Sequence, residues 1–338
     1  MSDTTKIEWA NHTGGPHFGC SPVSPGCANC YAWELAESRL ENLFRRAYKN
    51  AGFTDWDTRP VWGDKATRVL SKGFWVDAVR INKMHAARGT RGRWFPSMID
   101  WLDDMPGGII DLDGKQLDPL VVLAKFLKLI HDTPHLDWLL LTKRPDNFKS
   151  RVEKASLSLF KKEDDAFNEM LVRWTLLGTP PSNVWIGTSV EDQTRADQRI
   201  PALLKIPARV RFLSAEPLLG PLNIKDAMRC DVPIHWTIVG GESGPNARPC
   251  NVEWIRSIVR QCKAAGVPVF CKQLGAKPSG SFYAPEDRST KDSFHDCQKL
   301  KEEGHFKDSK GGEPSEWPED LRVREYPAVL RPMSQSAK

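Results

Sequence analysis

Three cysteines close to the N-terminus are the residues in this sequence best suited to carry chemistry. Cys20, Cys27 and Cys30 lie in the segment GCSPVSPGCANCY at 19–31, with the spacing C-x6-C-x2-C. Two prolines and Gly26 favour turns between the first two cysteines, so the loop is stiff and able to fold around a metal. Eight cysteines in a chain of 338 residues indicate metal binding or catalysis rather than a disulfide framework.

The number of thiolates decides which chemistry the loop could support. Three are one fewer than the four that complete a [4Fe–4S] cluster or a structural zinc site. An iron without a protein ligand can bind the amino and carboxylate groups of S-adenosylmethionine, and one electron then cleaves the sulfonium to give a 5′-deoxyadenosyl radical. The spacing alone leaves two alternatives open: a Cys3His zinc site completed by His12 or His17, and no metal at all.

Short apolar segments that alternate with helical patterns are expected to position this loop. Strands are predicted at 93–98, 137–142, 184–190, 210–214, 236–240 and 267–272, with amphipathic helices at 119–131, 194–205 and 251–265. An early strand around 6–10 and a helix over 31–49 flank the cysteine loop. This alternation predicts an α/β fold, a partial or complete (βα) barrel of parallel strands.

Polar side chains follow almost every predicted strand. They are Ser97 and Asp100; Thr142, Lys143 and Arg144; Ser189 and Glu191; Ser214 and Glu216; Glu242 and Ser243; Lys272 and Gln273. In a barrel these strand ends meet at one mouth, where such enzymes place their active sites. A doubly wound sheet would gather only those near its switch point.

Several of these residues have candidate roles, each beside a structural alternative. Glu216 and Glu242 could bind ribose hydroxyls or a substrate amine, or could pair with neighbouring cations, namely Lys143, Arg144 or Arg248. Lys143 and Arg144 could hold a substrate phosphate or carboxylate, or form a surface pair. Lys272 and Gln273 are expected inside the mouth, with Gln273 near the substrate and Lys272 and Glu242 as catalytic candidates. Ser189 could donate a hydrogen bond to a cofactor.

Composition and charge restrict the class of protein without naming a substrate. The net charge is +5, from 48 basic and 43 acidic residues, which is too small a surplus to establish nucleic-acid binding. No apolar run approaches the length of a membrane span, and the N-terminal residues lack the layout of a secretion signal, so a cytoplasmic protein with no membrane partner is expected. A basic and aromatic stretch, Arg88, Arg91, Arg93 and Trp94, could touch a nucleic-acid backbone or simply precede a strand.

Seven segments, in order along the chain, support a family resemblance. They are GCSPVSPGCANCYA at 19–32, SMID at 97–100, LTKRP at 141–145, WIGTSVEDQ at 185–193, LSAEPLLGPL at 213–222, IVGGESGPNARP at 238–249 and GVPVFCKQLG at 266–275. Together they resemble a phage-associated three-cysteine family related to the radical S-adenosylmethionine enzymes. The resemblance implies a partial (βα) barrel of that type, with a [4Fe–4S] cluster on Cys20, Cys27 and Cys30.

Two departures from the wider superfamily affect the expected cofactor contacts. Its commonest spacing is C-x3-C-x2-C with an aromatic residue before the third cysteine, whereas Asn29 stands there and Tyr31 follows, so Tyr31 becomes the candidate for the cofactor contact. Its GGE-like motif after the second strand, which binds the cofactor's amino group, is replaced by SMID, with Asp100 as the candidate acceptor. The GGES at 240–243 lies near the sixth strand and is not the equivalent motif.

The resemblance also implies a domain plan and a function. Residues 1–275 would form the barrel, and 276–338 a C-terminal extension packed on it or partly disordered. The expected activity is a radical S-adenosylmethionine isomerase that converts an N-linked into a C-linked glycine on thymidine in phage DNA, in the host cytoplasm, with an electron donor and a DNA or nucleotide substrate. Alternatives are a pyrimidine-damage repair lyase and a non-catalytic, zinc-stabilised nucleic-acid-binding protein. Of the later cysteines Cys250, Cys262 and Cys271, the last could approach the cluster.

Overall fold

A curled sheet of parallel strands dominates the computed structural model, which describes residues 5–54, 61–159, 165–283 and 296–328. The strands in chain order are β1 (His12–Thr13), β2 (His17–Phe18), β3 (Arg68–Leu70), β4 (Gly92–Phe95), β5 (Ile109–Ile110), β6 (Gln116–Leu117), β7 (Leu136–Thr142), β8 (Val184–Ser189), β9 (Val210–Ala215), β10 (Trp236–Gly240), β11 (Cys250–Asn251), β12 (Val269–Gln273) and β13 (Pro278–Ser279). Seven of them form the main sheet in the order β1-β4-β7-β8-β9-β10-β12, and all its pairings are parallel. The sheet is a half-barrel, which agrees with a partial (βα) barrel and confirms the α/β class.

Ten α-helices lie in the described ranges; most of them pack against the main sheet, and the first two pack against a smaller second sheet. They are α1 (Tyr31–Arg39), α2 (Glu41–Asn50), α3 (Lys72–Arg88), α4 (Pro119–Asp132), α5 (Phe148–Leu159), α6 (Asp165–Thr175), α7 (Gln193–Leu204), α8 (Lys225–Arg229), α9 (Val252–Ala265) and α10 (Cys297–Glu302). Asn251 caps the N-terminus of α9, because its side chain accepts a hydrogen bond from the Glu253 amide. No helix in the described ranges is both long and apolar enough to cross a membrane.

The two faces of the sheet are filled by different apolar clusters, as period-two alternation in a strand requires. In β7, Trp138 and Leu140 pack under the helices, whereas Leu139 faces the concave side. Trp236 lies at the centre of the concave cluster, with five aromatic ring centroids within 5.7–6.3 Å, those of Trp9, Trp185, Phe212, Phe270 and Tyr326. The inside of the half-barrel is therefore a packed aromatic core below the strand ends.

Three local predictions were wrong, each for a local physical reason. The first strand is β1 at His12–Thr13 rather than around 6–10. The strand predicted to reach 98 ends at Phe95, since Pro96 follows and Met98 adopts a left-handed conformation with φ 67°. The helix predicted over 31–49 is divided into α1 and α2 at Leu40, where ψ is 2°.

The described part of the C-terminal region, 296–328, packs along the outer edge of β12. The Cys271 amide donates to the Val323 carbonyl over 2.8 Å, and the Glu325 amide donates to the Val269 carbonyl over 2.9 Å. Tyr326 reaches the start of the chain, where its hydroxyl donates to the Glu8 carbonyl. This segment therefore lies between β12 and the N-terminal residues, beside the concave core.

Candidate functional site

The loop at 19–31 lies across the carboxyl ends of the parallel strands. Cys20, Cys27 and Cys30 are half-buried, and all eight cysteines of the chain are free thiols. The loop begins at Gly19, whose φ is +106° and where an added Cβ would lie 2.3 Å from the Val61 carbonyl oxygen. Only glycine can occupy that position, so the entry of the loop is set by its backbone.

Arg144, which follows β7, holds the first part of the loop. Its Nη2 donates to the Ser21 carbonyl over 2.6 Å, and its Nη1 donates to the Cys20 sulfur over 3.8 Å. A second buried guanidinium, that of Arg68, donates to the Ser21 hydroxyl over 2.7 Å. Arg144 was predicted to bind substrate, and the structure places its side chain, only 12% exposed, under the cysteine loop.

Asp100 lies beside Arg144 and connects two strand ends. Its carboxylate accepts hydrogen bonds from the Thr142 hydroxyl over 2.6 Å, the Lys143 amide over 2.9 Å and Arg144 Nη1 over 2.8 Å. The predicted role as an acceptor for a cofactor amine stays a prediction. The observed contacts give Asp100 a definite part in orienting Arg144.

Glu191, two residues beyond β8, contacts the middle of the loop. Its Oε1 accepts the Gly26 amide over 3.4 Å, and its Oε2 pairs with Arg199 Nη1 at 2.7 Å. Burial alone would raise the pKa of this carboxyl, but a hydrogen bond from Ser24 and the charges of Arg199 and Lys143 leave that pKa below its ordinary value. The approach is close, because a Cβ at Gly26 would lie 3.0 Å from Oε1 and the Glu191 side chain would have to shift by a few tenths of an ångström.

Glu242, which follows β10, holds the last part of the loop. Its Oε2 accepts from the Asn29 side chain over 3.0 Å, and Arg248 Nη2 lies 2.6 Å from Oε1. Arg248 also donates to the Pro25 carbonyl over 2.9 Å. Pairing with Arg248 was the structural alternative for Glu242, and it is the observed contact; a catalytic role stays a prediction.

Lys272 and Glu216 form an ion pair at the next part of the mouth, with 3.0 Å between Nζ and Oε1. Tyr31 is 47% exposed, yet desolvation raises the pKa of its phenol, and the nearby Cys30 and Glu216 raise it further. The structure thus brings Tyr31, Glu216 and Lys272 into one neighbourhood beside the third cysteine.

The remaining predicted site residues also follow or end strands of the main sheet, and they differ in burial and in hydrogen bonding. Gln273 is buried, and its amide donates to the Gly241 carbonyl over 2.8 Å. Ser189 is buried at the end of β8, where its carbonyl accepts from Arg199. Lys143 is half-buried and forms no ion pair within 4 Å among the described residues, and its charge contributes to the lowered pKa of Glu191.

The cysteine loop offers ligands of the type that an iron–sulfur cluster takes. Its three thiols are on one short segment and are partly accessible. The Arg144 guanidinium beside Cys20 favours an anionic sulfur, but burial and the carboxylates of Asp100 and Asp103 raise the pKa of that thiol to about 12. Over the described ranges, no three His, Cys, Asp or Glu side chains are grouped closely enough to hold a single metal ion. The two histidines considered for a zinc site lie in other contacts: His12 Nε2 is 2.9 Å from His85 Nε2, and His17 is buried with its pKa lowered to about 4 by desolvation.

The later cysteines and the basic stretch belong to the packing of the fold. Cys250, Cys262 and Cys271 are buried in the apolar cluster between the sheet and its helices. Arg91 pairs with Asp137 at 2.6 Å, and Trp94 is 1% exposed. These contacts agree with the structural alternative for Arg91 and Trp94. Contact of the basic stretch with a nucleic acid stays a prediction.

The loop anchors Asn29, Glu191 and Arg248 were not among the predicted site residues. Glu191 was recognisable as a polar strand-end residue, but its partner Gly26 is 165 positions away in sequence. Asn29 and Glu242 are 213 positions apart. Such pairings depend on the curvature of the sheet, which residue spacing does not reveal.

The comparisons with known proteins place the chain in a family without assigning an activity. The chain belongs to the family described as Protein of unknown function (DUF5131), whose model matches residues 4–303. No curated protein and no solved structure matches it.

Proposed function

We propose that this protein is a radical S-adenosylmethionine enzyme whose [4Fe–4S] cluster is held by Cys20, Cys27 and Cys30. The observation that carries the proposal is the placement of the three free, half-buried thiols across the carboxyl edge of a curled parallel sheet. That edge is where barrel enzymes bind their substrates and cofactors. A cluster bound there would supply the electron that cleaves S-adenosylmethionine into methionine and a 5′-deoxyadenosyl radical.

The chain's own residues would contribute position and charge. Arg144, Glu191 and Glu242 hold the loop at its first, middle and last parts. Tyr31, which follows Cys30, and the Lys272–Glu216 pair offer a phenol ring and both signs of charge. Such groups suit the adenine ring and the zwitterionic amino-acid end of S-adenosylmethionine.

The test of this proposal is metal content and radical chemistry in protein purified without oxygen. We expect a brown protein with about four irons that releases 5′-deoxyadenosine when dithionite and S-adenosylmethionine are added. Cys27→Ala should lose both properties, whereas Cys230→Ala, which removes an exposed cysteine outside the loop, should keep them. A colourless protein that holds one zinc, or release of 5′-deoxyadenosine by Cys27→Ala, would overturn the proposal.

For the substrate, we propose a thymidine nucleotide or DNA in which glycine is attached to the base through nitrogen. The radical would remove a hydrogen atom from the glycine α-carbon, and that carbon would form the new bond to the base group as the nitrogen–base bond breaks. The hydrogen atom would then be returned to the nitrogen-centred radical, which gives the primary amine of the C-linked isomer. Lys143 supports a phosphate-bearing substrate, because it directly follows β7 and forms no ion pair within 4 Å among the described residues. The resemblance described above is what favours this modified base.

Chromatography of digested product would test the substrate, since the two isomers have equal mass. We expect the C-linked isomer from the modified DNA and no product from irradiated DNA; repaired pyrimidines from the latter would instead identify a repair lyase. Lys143→Gln should raise KM at least tenfold with little change in kcat. Lys149→Gln, a lysine whose side chain is 79% exposed on α5, serves as the matched control.

A further inference from the structure

The Cys20 sulfur has a charged hydrogen-bond donor directed at it from beneath the loop. Arg144 Nη1 is 3.8 Å from Sγ and 2.8 Å from an Asp100 oxygen. Its other terminal nitrogen, Nη2, donates to the Ser21 carbonyl and lies 3.4 Å from Asp103 Oδ1. Each terminal nitrogen therefore contacts both the loop and a fixed carboxylate, so the guanidinium cannot turn away from the sulfur without losing several contacts.

We propose that Arg144 is a positioning residue that orients Cys20 and raises the reduction potential of the cluster at this loop. The inference rests on the proposed function, because it needs a cluster on Cys20. A reduced cluster carries one more negative charge than an oxidised one. A cationic donor to a ligating sulfur stabilises the reduced form more strongly, and hydrogen bonds to sulfur are among the factors that set such potentials.

Removing Arg144 would change the net charge beside Cys20 in addition to removing one hydrogen bond. Asp100 and Asp103 are both nearly buried, and Arg68 pairs with Asp103 at 2.7 Å. Two carboxylates are thus balanced by two guanidiniums under the first part of the loop. Without Arg144 the group carries a net negative charge beside Cys20, which opposes the addition of an electron.

Arg248 provides a matched control on the other side of the loop. It too is an arginine paired with a carboxylate, that of Glu242, and it too donates to a loop carbonyl, that of Pro25. Its described contacts are to oxygen atoms. Replacing Arg248 therefore loosens the loop to a similar degree without removing a donor from sulfur.

The experiment is a redox titration of reconstituted protein, followed by the electron paramagnetic resonance signal of the reduced cluster. Wild type, Arg144→Gln, Arg144→Lys and Arg248→Gln are loaded with iron and sulfide without oxygen, assayed for iron, and titrated with dithionite. We expect Arg144→Gln to shift the one-electron equilibrium at least tenfold toward the oxidised form, about 59 mV more negative. Arg144→Lys, which keeps the charge but loses the planar fork, should shift it less. Arg248→Gln should also shift it less than Arg144→Gln does, because the Arg248 side chain is 32% exposed and solvent screens its charge.

The outcomes separate this inference from the proposed function. If wild type holds a cluster and Arg144→Gln leaves its potential unchanged, the inference is wrong and the function stands. An equal shift in Arg248→Gln would also overturn it, since general loosening of the loop would then be the cause. If Arg144→Gln loses the cluster, Arg144→Lys decides, with an unchanged potential again contradicting the inference. A wild-type protein that binds no cluster refutes both.

Discussion

The buried ion pair between Glu191 and Arg199 provides a test of how the residues after β8 stabilise the cysteine loop. Their side chains are 0% and 8% exposed, and the Nη1–Oε2 distance is 2.7 Å. Removing one member of such a pair leaves an uncompensated charge out of water, which costs about 3–5 kcal/mol. Replacing both with uncharged groups of similar volume leaves no isolated charge and should cost much less.

The perturbation is therefore a double-mutant cycle of Glu191→Gln, Arg199→Met and the combination. We expect each single variant to lower the free energy of unfolding by about 3 kcal/mol or more. The double variant should recover much of that loss, with a coupling energy of about 2 kcal/mol. The assay is equilibrium urea unfolding followed by tryptophan fluorescence, with the slope of the transition checked for equality among variants.

The pH dependence of the same cycle supplies an independent check. The folded pKa of Glu191 is below its ordinary value, so its stabilising contribution is complete above the ordinary carboxyl pKa. The contribution is lost as the pH falls through the lowered folded pKa, because protonation removes the charge from the pair. The difference between wild type and Glu191→Gln should therefore shrink in acid. Additive single-variant losses below about 1 kcal/mol, independent of pH, would refute the reasoning.

Three further predictions concern the loop entry, a buried histidine and the C-terminal segment. Gly19→Ala should destabilise the fold and reduce iron loading, because the added Cβ would collide with the Val61 carbonyl. The control Gly220→Ala, where the added Cβ has open space around it, should have a melting temperature within about 2 °C of wild type. Wild type should lose about 3 kcal/mol of unfolding free energy as the pH falls from 6.5 to 4, because His17 is protonated there in the unfolded chain but not in the folded one. In urea titrations at several pH values, His17→Phe should reduce this dependence of stability on pH. Tyr326→Ala should lower the free energy of unfolding by about 2 kcal/mol through lost aromatic packing, and Tyr326→Phe by about 1 kcal/mol through the loss of one hydrogen bond. Thermal unfolding measures both losses, and equal losses would contradict the packing argument.

The parallel strands were predictable because their residue types respond to one local requirement. A strand buried on both faces needs a continuous apolar run, and β7, β8, β9, β10 and β12 have such runs at nearly the predicted bounds. The polar residues after them could also be assigned to one edge, since parallel strands end on the same side. What spacing could not predict was the partner of each polar residue: Lys272 meets Glu216, and Arg144 meets the cysteine loop.

The small second sheet shows where residue patterns stop being informative. Strands β2, β3, β5 and β6 have only two or three residues each and form a separate four-stranded sheet. Segments this short have no periodicity to detect, and their pairing depends on long-range contacts. Arg68 is an example: it is a charged residue on β3, yet it is completely buried because Asp103 and several backbone carbonyls surround it.

The antiparallel contact between β12 and the segment around Arg324 bears on self-association. The last strand of an open sheet presents unpaired amide and carbonyl groups that can recruit another chain, which is a common route to aggregation. Here the Val323 carbonyl and Glu325 amide occupy groups on that strand. Both residues lie beyond 303, where the family match ends, and far in sequence from the cysteine loop. The edge of β12 is therefore covered by a part of the chain beyond the matched residues, and the Arg324 guanidinium in that part also donates to the Lys272 carbonyl at the strand end.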